Sequence, residues 1–239
     1  MSKTARLEIT YRYGNVRIMR FSNVAVPDEY GAFLAENLPS GNGTALDLTT
    51  GSGIHAIVLA SLGYTVTAID VSAAAVNATR ENAALNGIQL SVLQGDLYAP
   101  VADQRFDVIV AWPPVMPTPQ TRVSQSYNMQ IHDGGAAGFD ILERVLQGTA
   151  AALAPGGRLF TLRPWYLDEE KFNRLVSCCG LQCKTLASER FPLGTLSTER
   201  LAYLCNLSQH HEEDLYRNGQ EMHVVELWSL GAGDDGQEN

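Results

Sequence analysis

The stretch Asp47-Leu48-Thr49-Thr50-Gly51-Ser52-Gly53-Ile54-His55-Ala56 constrains this chain more than any other part of it. Thr44-Ala45-Leu46 ahead of it reads as a short buried strand. Ile54 to Ala60 behind it reads as a buried helix. Glycine at 51 and 53 lets the backbone turn sharply between the two and lets a ligand lie against the amides of a helix start. Alone, Gly-x-Gly-x-x-Ala also fits a dinucleotide site or a plain tight turn.

The following strands narrow the choice. Tyr64 to Asp70 is a β-branched run that ends in a carboxylate, an acceptor suited to the two hydroxyls of a ribose. Leu90 to Gln94 ends at Gly95-Asp96, and Phe106 to Ala111 ends at Trp112-Pro113-Pro114-Val115. In open parallel sheets ligands bind outside such carboxyl ends.

With these motifs in order, the run from Leu46 to about Pro114, followed by Asp133 to Asp140, resembles the class I S-adenosylmethionine-dependent methyltransferases, within them the HemK-type glutamine methyltransferase branch. The resemblance implies an α/β fold with a Rossmann-like, doubly wound, seven-stranded sheet and S-adenosylmethionine as cofactor. It also implies that Asp47, Gly51 and Gly53 line the methionine and ribose portions, that Asp70 holds the ribose hydroxyls and that Asp96 receives the adenine amino group. Two positions depart from the family pattern. Thr49, beside the methionine portion, stands where glycine is usual, and Trp112-Pro113-Pro114-Val115 replaces Asn-Pro-Pro-Tyr.

The second departure touches the chemistry. An Asn side chain offers an acceptor and donors to a planar amide, whereas indole has one donor and no acceptor. Trp112 therefore cannot recognise a glutamine amide as the family does. It can offer a π face to a sulfonium, a contact of about 0.5–2 kcal/mol, or it packs in the core. Whether it meets cofactor or substrate stays open. Pro113 keeps the segment rigid, and Tyr30 and Tyr127 are the further candidate catalytic residues, Tyr30 from an early helix and Tyr127 from the loop 116–131.

Along the chain, residues 6–21 read as a β-hairpin turning at Gly14-Asn15, and a helix begins near Pro27-Asp28-Glu29 and runs to about Leu38. Ser72 caps a helix from Ala73 to Asn86, which Gly87 ends. A helix from Gly138 to Leu153 is closed by Pro155-Gly156-Gly157, then come a strand (158–162), a helix (167–178) and a sixth strand (181–187). The last strand, His223 to Trp228, is expected antiparallel beside the sixth, with 191–220 as a cap insertion carrying a helix from about Ser197 to Asn206. The expected divisions are 1–39 (hairpin and helix), 40–230 (cofactor domain) and 231–239 (disordered tail). His132-Asp133 invites a general-base reading.

With 239 residues, a net charge of −9 and scattered basic residues, the expectation is one soluble cytoplasmic domain with no nucleic-acid footprint and no membrane span. Four cysteines without C-x-x-C spacing read as reduced thiols. No metal is expected, and His210-His211-Glu212-Glu213 reads as solvated surface.

The leading functional expectation is methyl transfer to a nitrogen or oxygen of a small-molecule substrate in specialised metabolism. The alternative, by resemblance to azetidine-carboxylate synthases, is cyclisation of S-adenosylmethionine itself to azetidine-2-carboxylic acid and methylthioadenosine. A nicotinamide oxidoreductase and a silent cofactor-binding protein are the remaining readings. The chain has no lysine between Lys3 and Lys171 to serve the former. Oligomeric state is not encoded.

Overall fold

Apolar runs of β-branched residues framed by turn residues become parallel strands because both of their faces can be covered by the intervening helices. The computed structural model describes residues 11–119, 131–208, 216–217 and 220–232. The fold class is mixed α/β, with seven strands in the ordered path of the sheet and a two-residue strand paired off that path, and the chain separates into two compact units.

The first unit comprises residues up to Trp112 together with 152–157. A short hairpin, β1 (Tyr11–Tyr13) and β2 (Val16–Ile18), pairs Tyr11 with Ile18. Then follow α1 (Glu29–Glu36), β3 (Thr44–Leu48), α2 (Ile54–Ser61), β4 (Thr65–Asp70), α3 (Ala73–Leu85), β5 (Ser91–Gln94) and β6 (Phe106–Ala111). The strand order is β5-β4-β3-β6, all parallel. Leu46, Leu48, Ile57, Leu59, Ile69 and Ile109 are fully buried between sheet and helices. Each such side chain contributes about 1.5–3 kcal/mol.

Caps follow the sequence. Asp28 accepts from the Gly31 amide at 2.8 Å, and Ser72 accepts from the Ala75 amide at 3.4 Å. The expected helix from Ala73 ends at Leu85, with Gly87 at φ +67° beyond it. The hairpin is pinned to α3: Asn86 accepts from the Arg17 amide at 2.9 Å and donates to the Arg17 carbonyl at 2.7 Å.

The second unit holds 113–151 and 158 onward. Its elements are α4 (Asp140–Ala152), β7 (Leu153–Pro164, whose first residues belong to the first unit), α5 (Glu169–Cys178) and β8 (Leu181–Pro192). They are followed by α6 (Thr195–Glu199), α7 (Leu201–Ser208), a two-residue β9 (Tyr216–Arg217) and β10 (Gln220–Ala232). As expected, the last strand is antiparallel. It lies between β7 and β8, pairing Leu227 with Leu162 on one side and with Ala187 on the other.

Three details differ from the sequence reading. The helix 140–152 stops before Pro155, and β7 starts at once, so the glycines sit inside a strand rather than closing a helix. β8 extends to Pro192, and β10 takes in Gly231 and Ala232, which composition alone places in the tail. The expected cap helix is two helices broken at Arg200. Tyr127, His210 to Glu213 and the rest of the expected tail fall outside the described residues.

Candidate functional site

The site of the first unit is built at the carboxyl end of β3. Asp47 is fully buried, and its Oδ2 accepts from Thr50 Oγ1 at 2.6 Å and from the Ala56 amide at 3.0 Å, so one carboxylate oxygen clasps the loop to the start of α2. Its Oδ1 is buried with no hydrogen-bond partner. Burial, only partly opposed by these two bonds, pushes the Asp47 carboxyl up to about 7.

The two glycines of the loop serve different ends. Gly53 has φ +85°, and a Cβ there would meet the Thr79 side chain at 2.9 Å, so α3 packs directly on the loop. Gly51, at φ +54°, would carry a Cβ with nothing closer than 3.9 Å. Open space over a bare backbone is what a ligand laid on the main chain requires. Thr49, where the family usually has glycine, adopts φ +57°, a conformation unfavourable for a β-branched residue. The backbone demands glycine geometry here even though the side chain is threonine.

Asp70 closes the cradle. One oxygen accepts from the Gly51 amide at 3.0 Å and the other from the Ser72 amide at 2.9 Å. A carboxylate has about four lone-pair positions, so acceptor capacity beyond these backbone bonds remains for a ligand hydroxyl. Burial raises its pKa, and the backbone hydrogen bonds oppose this. Behind the loop, Thr79 Oγ1 donates to the Gly51 carbonyl at 3.1 Å, and Asn82 Nδ2 donates to the Ser52 carbonyl at 2.8 Å. His55 Nε2 lies 3.0 Å from the Gly31 carbonyl, and burial lowers its pKa to about 4, so the ring is neutral and joins α2 to α1.

Asp96 is exposed after β5, where its carbonyl accepts from the Ala99 amide. Val71, 69% exposed directly after Asp70, offers an apolar surface that sequence reading missed, because a valine closing a β-branched strand gives no sign of facing solvent. Thr79 and Asn82 were also missed. Their signal is polar residues at i, i+3 among the alanines of α3. The Tyr30 and Trp112 rings meet edge to face, centroids 6.3 Å apart at 88°. Burial first, then Asp28 and Glu29, raise the Tyr30 hydroxyl above its ordinary range, keeping it neutral.

In the second unit, Pro113 and Val115 are buried and Pro114 is half-buried. Met116 bridges in parallel to Asp133, its amide donating to the His132 carbonyl at 3.0 Å, while the Thr118 amide donates to the Gly135 carbonyl at 2.9 Å. Arg200, between α6 and α7 and 6% exposed, donates to the Pro117 carbonyl at 2.9 Å and to Thr118 Oγ1 at 3.1 Å. Tyr203 donates to the Ala136 carbonyl at 2.6 Å. Asp133 Oδ1 accepts from the Gly135 amide at 2.9 Å, so this carboxylate orders its own turn. Cys178, Cys179, Cys183 and Cys205 are free thiols, and among the described residues no group of His, Cys, Asp or Glu could hold a metal. No described helix is long and apolar enough to cross a membrane.

Residues 20–176 match the methyltransferase small domain family. A Methanocaldococcus jannaschii protein provisionally named a protein N5-glutamine methyltransferase is 28% identical over 76% of this chain and 92% of its own length. The release factor glutamine methyltransferase of Geobacter sulfurreducens is 34% identical over 59% of this chain and 49% of its length. The chain thus spans about half of that curated relative. Among solved structures, the T. thermophilus 16S rRNA methyltransferase in complex with AdoMet and guanosine superposes with a TM-score of 0.56 at 21% identity, over 92% of this chain and 49% of that one. At that identity the likeness is one of fold.

Fold and cradle together define a class I methyltransferase whose cofactor is S-adenosylmethionine. The chain belongs to the methyltransferase small domain family, on its HemK-like branch. The comparisons correct one expectation. Two further curated relatives, 31% and 32% identical over 57% and 56% of this chain, act on a ribosomal protein and on ribosomal RNA; with the release factor enzyme they overturn a small-molecule substrate and the exclusion of nucleic acid. Cyclisation to azetidine-2-carboxylic acid and a place in specialised metabolism find no support among them.

Proposed function

We propose that the chain transfers the methyl group of S-adenosylmethionine to a nitrogen of a macromolecule, in the first place a protein side chain or terminus. The carrying observation is the cradle in which Asp70 holds the Gly51 amide at 3.0 Å beside a backbone that a Cβ would find open. The buried Oδ1 of Asp47 suits the α-ammonium of the methionine portion, and an ammonium there favours the ionised carboxylate. The remaining acceptor capacity of Asp70 suits the ribose diol, Val71 offers an apolar surface to the adenine, and Asp96 suits its amino group.

When bound, the sulfonium supplies an activated methyl carbon. What the chain must add is alignment of the nucleophile and exclusion of water, and no covalent nucleophile is needed. Pro113 and Pro114 have no amide hydrogen, so their main chain can only accept, which fits a nucleophile that carries N–H. An RNA base amine is the second reading, favoured by the relatives that act on ribosomal RNA.

The test is incubation with methyl-tritiated S-adenosylmethionine and, in separate reactions, protein extract and deproteinised RNA. Label in protein is expected. Label in RNA alone selects the second reading, and label in neither discards both.

A further inference from the structure

The cradle accounts for the cofactor but leaves unexplained the aromatic pair that follows β6 and opens α1. Trp112 stands where the family pattern has an asparagine, and the pair it forms with Tyr30 is perpendicular, at 88° with centroids 6.3 Å apart. We infer that this corner receives the acceptor nitrogen as an ammonium, from a lysine side chain or an α-amino group of a protein, rather than as a carboxamide. The inference rests on the methyl-transfer reading and names its substrate class.

Four observations carry it. Indole has a single donor and no acceptor, so the paired recognition that a carboxamide needs is absent. The ring planes stand at 88° with the edge of one toward the face of the other, so a cation beside the edge-on ring meets that ring's face and the uncovered part of its neighbour's. Both rings are half-buried, which strengthens a cation–π contact by removing competing water. The flank is acidic: Asp28 and Glu29 lie close enough to the Tyr30 hydroxyl to raise its pKa, and the chain as a whole carries −9.

The chemistry also changes. A carboxamide nitrogen has its lone pair delocalised into the carbonyl, whereas an ammonium needs only to lose one proton, which passes to water. The freed lone pair then forms the N–C bond to the methyl carbon. The C–S bond breaks with its electron pair retained by sulfur, leaving the neutral thioether of S-adenosylhomocysteine. The product is a methylammonium, still cationic and still matched to the corner.

The test compares two probes on protein saturated with S-adenosylhomocysteine: the amides of Nα-acetyl-lysine and of Nα-acetyl-glutamine, followed by ligand-observed NMR titration. The lysine probe is expected to bind the more tightly. Trp112→Ala should weaken it about ten-fold, the loss that a desolvated cation–π contact carries, and Trp112→Asn should reverse the preference. Cooperative thermal unfolding of Trp112→Ala and Trp112→Asn, followed by circular dichroism, certifies that both variants fold. Tighter binding of the glutamine probe, no binding of either probe, or indifference of the lysine probe to Trp112→Ala overturns the inference. These outcomes are read from binding, so they stay distinct from a failure to label any macromolecule, which would remove the methyl-transfer reading instead. Where protein is labelled, acid hydrolysis should leave tritium in an N-methylated amino acid. Release as methylamine would mark a carboxamide acceptor and overturn the inference.

Discussion

The glycine loop and the segments beyond Trp112 hold their backbones in opposite ways. Around the loop, side chains from 2 to 30 residues away do the work: Asp47 grips Thr50 and Ala56, Asp70 grips Gly51 and Ser72, and Thr79 and Asn82 hold the Gly51 and Ser52 carbonyls. Beyond Trp112, Pro117 and Thr118 are held by Arg200, 83 and 82 residues away, and Ala136 by Tyr203, 67 residues away. A cofactor common to a whole family is met by locally encoded geometry. The segment beyond Trp112 is held by contacts from a stretch far along the chain, which can change without touching the loop.

The comparison breaks most sharply at Asp70. Asp70→Ala should lower affinity for S-adenosylhomocysteine about 100-fold or more, since charge-assisted backbone hydrogen bonds and the ribose contacts go together. Isothermal calorimetry checks it, and unchanged binding would discard the ribose assignment. Next is Arg200→Met, which removes a buried guanidinium from two acceptors and should cost about 3 kcal/mol in urea unfolding. Amide exchange at Met116 and Thr118 should accelerate while S-adenosylhomocysteine still binds. A loss of cofactor affinity equal to that of Asp70→Ala would erase the distinction between the regions.

Acid–base behaviour sharpens the picture of the loop. Asp47 has its folded pKa raised from 3.8 to about 7, so the folded state keeps a proton that the unfolded state gives up, and its contribution to stability falls as pH rises from 4 to 7. His55 is lowered from 6.5 to about 4, so the unfolded state takes a proton first, and its contribution falls as pH drops from 6.5 to 4. The two slopes oppose one another in wild type. Asp47→Asn should expose acid destabilisation below pH 6.5, and His55→Gln should expose the loss toward neutral pH. Each slope approaches about 1.4 kcal/mol per pH unit, measured as melting temperature against pH. A flat profile in both variants would refute the assignment.

The smallest effect is expected at Thr49→Gly, which relieves a positive φ but loosens the unfolded chain. It should raise stability by at most about 1 kcal/mol, and a loss larger than that would mean the threonine side chain is itself needed.

What the sequence disclosed follows the same division. β3, α2, β4 and β6 were legible because their apolar runs are bounded by glycine, aspartate or proline, and the positions of Gly51, Gly53 and Asp70 at the strand ends follow from where those runs stop. Thr49 was legible only as a departure. Its positive φ shows that the backbone conformation persists without the residue that makes it easy. Arg200 could not be found. A single arginine between two polar helix ends reads as solvated, and only the folded chain brings it to Pro117. The single helix expected from Ser197 to Asn206 failed for the same reason, because periodicity cannot register a break whose purpose is a tertiary contact.

The placement of β10 between β7 and β8 has a consequence for the order of events during synthesis. β7 and β8 are made first, yet in the native order they are not neighbours, and each keeps an unsatisfied edge until residues 220–232 exist to join them. The parallel strands β3 to β6 need nothing from that late segment for their own pairing. The cofactor cradle can therefore mature on a nascent chain, while the second unit waits with open strand edges, the interval in which such a chain is most exposed to misassembly and to the chaperones that prevent it.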